Sequence, residues 1–145
     1  MHAMMQTTGA VAPLVIRLML AVVIWPHGAQ KLLGWFGGGG LNETFKRFRS
    51  AWNISPWLAL IAVASEFLGA MGLVVGLLTR VAALGIGITM TVAMLKAQVR
   101  FGFFMNWFGN KQGEGVEYSL LVIAMAISLI ISGAGALSLD RLIAG

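Results

Sequence analysis

The chain has 145 residues, of which 59% are hydrophobic and only 10% charged, and its mean hydropathy is +0.88. A soluble domain carries about 25% charged residues, so the composition excludes an ordinary soluble fold and points to a single membrane domain over residues 1–145. The net charge of +5 bears on topology and lipid contact before it suggests nucleic acid, and the absence of cysteine excludes disulfides, thiol relays and thiolate metal sites.

Four apolar segments reach the roughly 20 residues a span requires. They cover about 11–35, 56–78, 80–99 and 117–137. Backbone in lipid must satisfy its own hydrogen bonds, and these runs are too long for barrel strands, so they predict four transmembrane helices. Before Arg17 the first run has no Lys or Arg, and no small-residue cleavage site follows Gly34. It therefore reads as a retained helix and not a signal peptide.

Within the first span Arg17, Leu20, Ile24, His27 and Lys31 fall at i, i+3, i+7, i+10 and i+14, one slowly winding face. Arg17 and Lys31 lie about 21 Å apart along the axis at 1.5 Å per residue. Pro26 should kink the helix and free the carbonyl of Val22, opening room beside His27 for a ligand or water. The alternatives are that Arg17 and Lys31 snorkel to headgroups and that His27 bonds the freed carbonyl or a neighbouring helix.

Gly37–Gly40 ends the first helix. In LNETFKRFRSAW, Leu41, Phe45, Phe48 and Trp52 share one face, with Lys46, Arg47 and Arg49 elsewhere, which predicts a short interfacial amphipathic helix between spans 1 and 2. Ser55-Pro56 reads as an N-cap and first-turn proline. Glu66, about mid-span, must face the bundle and be paired or protonated. Arg17 is the expected partner, with Lys31 or His27 as alternatives. Gly69, Gly72 and Gly76 on a similar face would allow close helix approach.

A tight turn around Thr79-Arg80 makes the second and third spans antiparallel neighbours. The third connection holds Phe101, Phe103, Phe104, Trp107 and Phe108, suited to an interfacial belt or to the lid of an aromatic ligand site. Glu117 suits the dipole at the start of the fourth helix; alternatively Glu117 and Tyr118 line the mouth of a pocket with Asn106 and Trp107. Seven basic residues flank the first and third loops against Arg80 and Arg141 on the other side, which puts the two long loops in the cytoplasm and both termini outside.

There is no phosphate-binding glycine motif with its lysine, no H-E-x-x-H and no G-x-S-x-G. The two histidines, His2 and His27, cannot supply the paired axial ligands of a multi-haem cytochrome. No metal and no haem are expected.

R-x9-H-G-x2-K over Arg17–Lys31, E-x2-G-x2-G-x3-G over Glu66–Gly76, GxGxEY over Gly113–Tyr118 and GxGxLSLD over Gly133–Asp140 together resemble the DoxX family of small four-helix membrane proteins. That family takes its name from a small subunit associated with a thiosulfate:quinone oxidoreductase, and relatives are linked to quinone or catechol stress and oxidative defence. The resemblance implies a four-helix bundle, a plasma (inner) membrane location and a quinone link, with Arg17, His27, Lys31, Glu66 and Glu117 in one site. Quinone reduction through cysteines is excluded by their absence. The expectation is a quinone-linked subunit or accessory of a membrane redox system, at most part of an oxidoreductase, with electrons supplied by a soluble or membrane partner. Arg17 and Lys31 would stabilise anionic quinone oxygens, and His27 and Glu66 would handle protons. The alternatives are a non-catalytic scaffold or anchor, whose partners are the bilayer or a soluble protein, and a small-solute or proton pathway built as a homo-oligomer. Nucleic acid is not an expected partner.

Overall fold

The computed structural model describes residues 5–144, and His2 lies outside them. Among the described residues the regular elements are all helical. In chain order they are α1 (Val11–Leu33), α2 (Gly40–Trp52), α3 (Pro56–Val75), α4 (Thr79–Ala93), α5 (Glu117–Ser132) and α6 (Leu139–Ala144). Beyond Ala93, α4 runs on through a π-helical turn (Met94–Gln98) and a 3-10 turn (Val99–Phe101).

Among the described residues three helices are long and apolar enough to cross a membrane: Val11–Leu33, Pro56–Val75 and the continuous Thr79–Phe101. The fourth apolar helix, α5, has 16 residues, about 24 Å against the roughly 30 Å of a hydrocarbon core. The apolar run continues to Leu137, but the helix stops at Ser132, because Gly133 and Gly135 adopt positive φ (77° and 74°) and turn the chain. The first helix likewise closes at Gly34, in the left-handed conformation, just short of the expected end.

The local signals act as their chemistry dictates. Ser55 accepts a hydrogen bond from the Leu58 amide, and Pro56 opens α3. α2 turns Leu41, Phe45, Phe48 and Trp52 partly inward onto α1 and α3, leaving Lys46, Arg47 and Arg49 exposed. Thr44, buried on the same side, donates to the carbonyls of Lys31 and Gly40 and ties α2 to the end of α1. The turn between α3 and α4 falls at Gly76–Leu78, slightly earlier than Thr79-Arg80.

The helices pack in a ring: α1 on α3, α3 on α4, α4 on α5, with α1 and α5 closing it. Leu20, Ala21 and Ile24 of α1 meet Leu73, Ile86 and Leu129 in a continuous core. Outside, Val15, Val22, Leu68, Leu84, Leu121 and Ile131 are exposed on the flanks, the pattern of helices that face acyl chains.

At the end of the bundle nearest the termini, Arg17 is 1% exposed. Its guanidinium donates to the carbonyls of Leu73 (2.6 Å) and Val74 in the last turn of α3, and to those of Ala134 (3.1 Å), Ala136 and Leu137 (2.6 Å) in the turn after α5. The expected pairing of Arg17 with Glu66 is thereby corrected: its donors are taken by carbonyls that the ends of two helices leave without intrahelical partners. Asp140, also buried, accepts from the amides of Leu78 (2.7 Å) and Thr79 (2.9 Å) at the start of α4. Its own amide donates to Gly76. Asp140→Ala should lower the thermal unfolding midpoint in detergent by an amount equivalent to about 2–4 kcal/mol, for two lost charge-assisted bonds, and Asp140→Asn should lower it less, since one acceptor oxygen remains.

Candidate functional site

Glu66 sits ten residues into α3 and is 2% exposed. Close approach of α1 sets its surroundings. Gly28 packs directly on the α3 backbone, and a Cβ there would lie 2.6 Å from the Phe67 nitrogen. The tight α1–α3 contact thus depends on Gly28 and not on the α3 glycines: a Cβ at Gly69 would meet only ordinary contacts, and Gly76 serves the turn. Trp25 stacks on Phe67 at 5.7 Å and seals the same contact from outside.

Three residues after Gly28, Lys31 reaches inward from near the end of α1, and its ammonium forms an ion pair with the Glu66 carboxylate. The Lys31 side chain is 28% exposed and that of Glu66 3%. The pair therefore has one foot in the bundle and one near its rim. It forms the polar end of a cavity of about 250 Å3 between α2, α3 and α4. Phe48 and Trp52 of α2 and Ile54 cover it, and Leu58, Ile61, Ala62, Ile88, Thr89, Val92 and Ala93 make its walls. An apolar chamber closed by a few convergent polar groups is the usual form of a small-molecule site.

The other expected site residues separate into distinct places. His27 does not line the cavity. It is exposed on the α5 side of α1, with its ring 6.0 Å from that of Tyr118. The Tyr118 hydroxyl is buried with no hydrogen-bond partner among the described residues. Pro26 lies inside α1, which continues as helix to Leu33.

The third connection folds on itself instead of covering the cavity. A Glu117 carboxylate oxygen accepts from the Met105 amide at 3.3 Å, and Glu114 accepts from the Asn106 amide at 2.7 Å. The Asn106 side chain exchanges two hydrogen bonds with the Lys111 backbone. Trp107 is exposed, as are Phe103, Phe104 and Phe108. The aromatics that meet the cavity are Phe48 and Trp52, which the sequence pattern assigned to the membrane surface. Where α4 widens into its π turn, Gln98 accepts from the Ser119 hydroxyl at 2.6 Å and ties the end of α4 to α5. Among the described residues no group of three or more His, Asp or Glu is placed to hold a metal ion.

The pair and the close contact beside it make separable contributions. Lys31→Met leaves a buried, uncompensated carboxylate and should cost about 3–5 kcal/mol of stability. The double replacement Lys31→Met/Glu66→Met should recover most of that loss, as thermal unfolding of the purified protein in detergent will show. Gly28→Ala should destabilise by about 1–3 kcal/mol or more through the backbone clash alone.

The sequence matches the DoxX family over residues 12–109. It is also similar to a protein of Haemophilus influenzae described as uncharacterized, at 32% identity over 144 residues, covering 96% of this chain and 88% of that one. No solved structure matches.

Proposed function

The chain belongs to the DoxX family, and from that premise we propose that it is a quinone-linked subunit or accessory of a membrane redox or oxidative-stress system, holding a quinone-type ring in the cavity above Lys31 and Glu66. The observation that carries this reading is the partly enclosed, apolar chamber whose one polar end is a neutral ion pair. A quinone or quinol needs those features: flat apolar walls for the ring, a donor for a carbonyl oxygen and an acceptor for a hydroxyl. Lys31 offers ammonium protons and Glu66 carboxylate oxygens, so the residues present fit either redox form. The aromatic rings of Phe48 and Trp52 suit a π-face. A quinone, when bound, supplies the electron chemistry. The chain's own residues bind and orient it, and a partner protein supplies electrons.

The same reading places four spans in the plasma (inner) membrane. α5 would cross with the help of the residues that flank it, α2 would lie in the headgroup plane with Lys46, Arg47 and Arg49 toward lipid phosphates, and the two long loops would be cytoplasmic. Arg17 and Asp140 belong to architecture in this account, since backbone groups take up their hydrogen bonds.

Mass spectrometry of extracts from protein purified in mild detergent tests the assignment. Wild-type protein is expected to retain a quinone at near-stoichiometric amounts, and both Glu66→Gln and the Lys31→Met/Glu66→Met double variant to lose it while remaining folded. Lipid alone, in the same amount in all three, would instead assign the protein a non-catalytic scaffold or anchoring role.

A further inference from the structure

We infer that the cavity is filled sideways from the bilayer, between α3 and α4 and beneath α2, and that its occupant is a tailed lipid whose neutral polar head alone goes in. The inference rests on the ring-binding reading above only for the identity of the head.

The walls show where the cavity opens. Leu58 and Ile61 of α3 and Ile88 and Val92 of α4 line it, yet are 60%, 60%, 56% and 39% exposed. Residues that are both wall and outer flank mark a mouth on the side of the bundle, in the band that α3 and α4 present to acyl chains. On the side of α2, Phe48 and Trp52 line it. A ligand already dissolved in the leaflet meets the mouth between α3 and α4 directly.

Size and charge narrow the class. Pockets that enclose a drug-sized ligand usually measure about 300–1,000 Å3. At about 250 Å3 this one holds a substituted ring and has no room for a long chain, which must remain outside among the lipids. Lys31 and Glu66 neutralise one another. A phosphate head would face the Glu66 carboxylate and a quaternary ammonium the Lys31 charge, each at a desolvation cost. A neutral head carrying both a hydrogen-bond acceptor and a donor meets neither penalty.

The test uses the full-length protein in nanodiscs and three probes compared at equal mole fraction in the bilayer: a benzoquinone bearing a decyl chain, the same ring bearing a methyl group, and decanol. The tailed quinone is expected to bind at least about tenfold more tightly than the methyl compound. Ile61→Trp and Val92→Trp, each enlarging a side chain at the mouth, should each weaken the tailed quinone by about tenfold while leaving the melting temperature in place. Equal binding of the two quinones, unaffected by either mouth variant, would overturn lateral access and leave the ring assignment standing. Decanol binding as tightly as the tailed quinone, and weakened by the same variants, would support lateral access of a tailed lipid while overturning the ring assignment. Retention of none of the three would overturn both.

Discussion

A helix that ends in an apolar environment leaves backbone carbonyls without partners, and in this fold two helices end beside the same buried side chain. α3 stops at Val75 and α5 at Ser132, and the guanidinium of Arg17 takes hydrogen bonds to carbonyls from both breaks. Asp140 performs the converse service for the amides that open α4. One cation and one anion thus satisfy the chain ends of three helices, without which those ends would require water. α1 carries the consequence to the opposite end of the bundle. It is a continuous helix from Val11 to Leu33, so fixing Arg17 also fixes the azimuth of Gly28 and Lys31, and with them the contact with α3 that brings Lys31 to Glu66.

The two ends use their polar groups differently. The guanidinium of Arg17 and the carboxylate of Asp140 are matched by backbone carbonyls and amides. The groups around Glu66 are not so matched. Lys31 has donors to spare, Glu66 has a second oxygen, and the Tyr118 hydroxyl is buried without a partner among the described residues. The ion pair therefore leaves hydrogen-bonding capacity at the polar end of the cavity, whereas Arg17 and Asp140 spend theirs on backbone groups.

Much of the architecture was legible because it rests on local chemistry. Apolar length marked α1, α3 and α4, the four-glycine run marked the break before α2, and Ser55-Pro56 marked the start of α3. The partner of Glu66 was harder to read. Arg17 and Lys31 lie on one face of α1, and a sequence displays side chains but not the backbone acceptors that compete for them. The register of α1 against α3 sets Gly28 on Glu66 and Phe67 but Arg17 on Leu73 and Val74, about two turns farther along, where the break after α5 at Gly133 supplies further carbonyls. The cover of the cavity was obscure for a different reason. An amphipathic pattern says only that one face of α2 avoids water, and Phe48 and Trp52 satisfy that equally well against lipid or against a chamber in the protein. The aromatics between Phe101 and Val116 have no helical period, so nothing in their order told inward from outward.

The π turn in α4 illustrates how counting alone can relocate a functional group. Thr79, Ala83, Ile86 and Met90 form the buried stripe of that helix, and continuing the spacing would bring residues 94 and 97 inward. The π turn absorbs one additional residue, and so Gln98 takes the bearing that Ala97 would have had and meets Ser119. The polarity at the junction of α4 and α5 is therefore a property of chain length across Met94–Gln98. Substitutions there change which group arrives, whereas an insertion or deletion changes which position arrives. Evolution along this stretch can exchange an apolar seam for a polar one in a single step without altering any residue on either helix that packs the core.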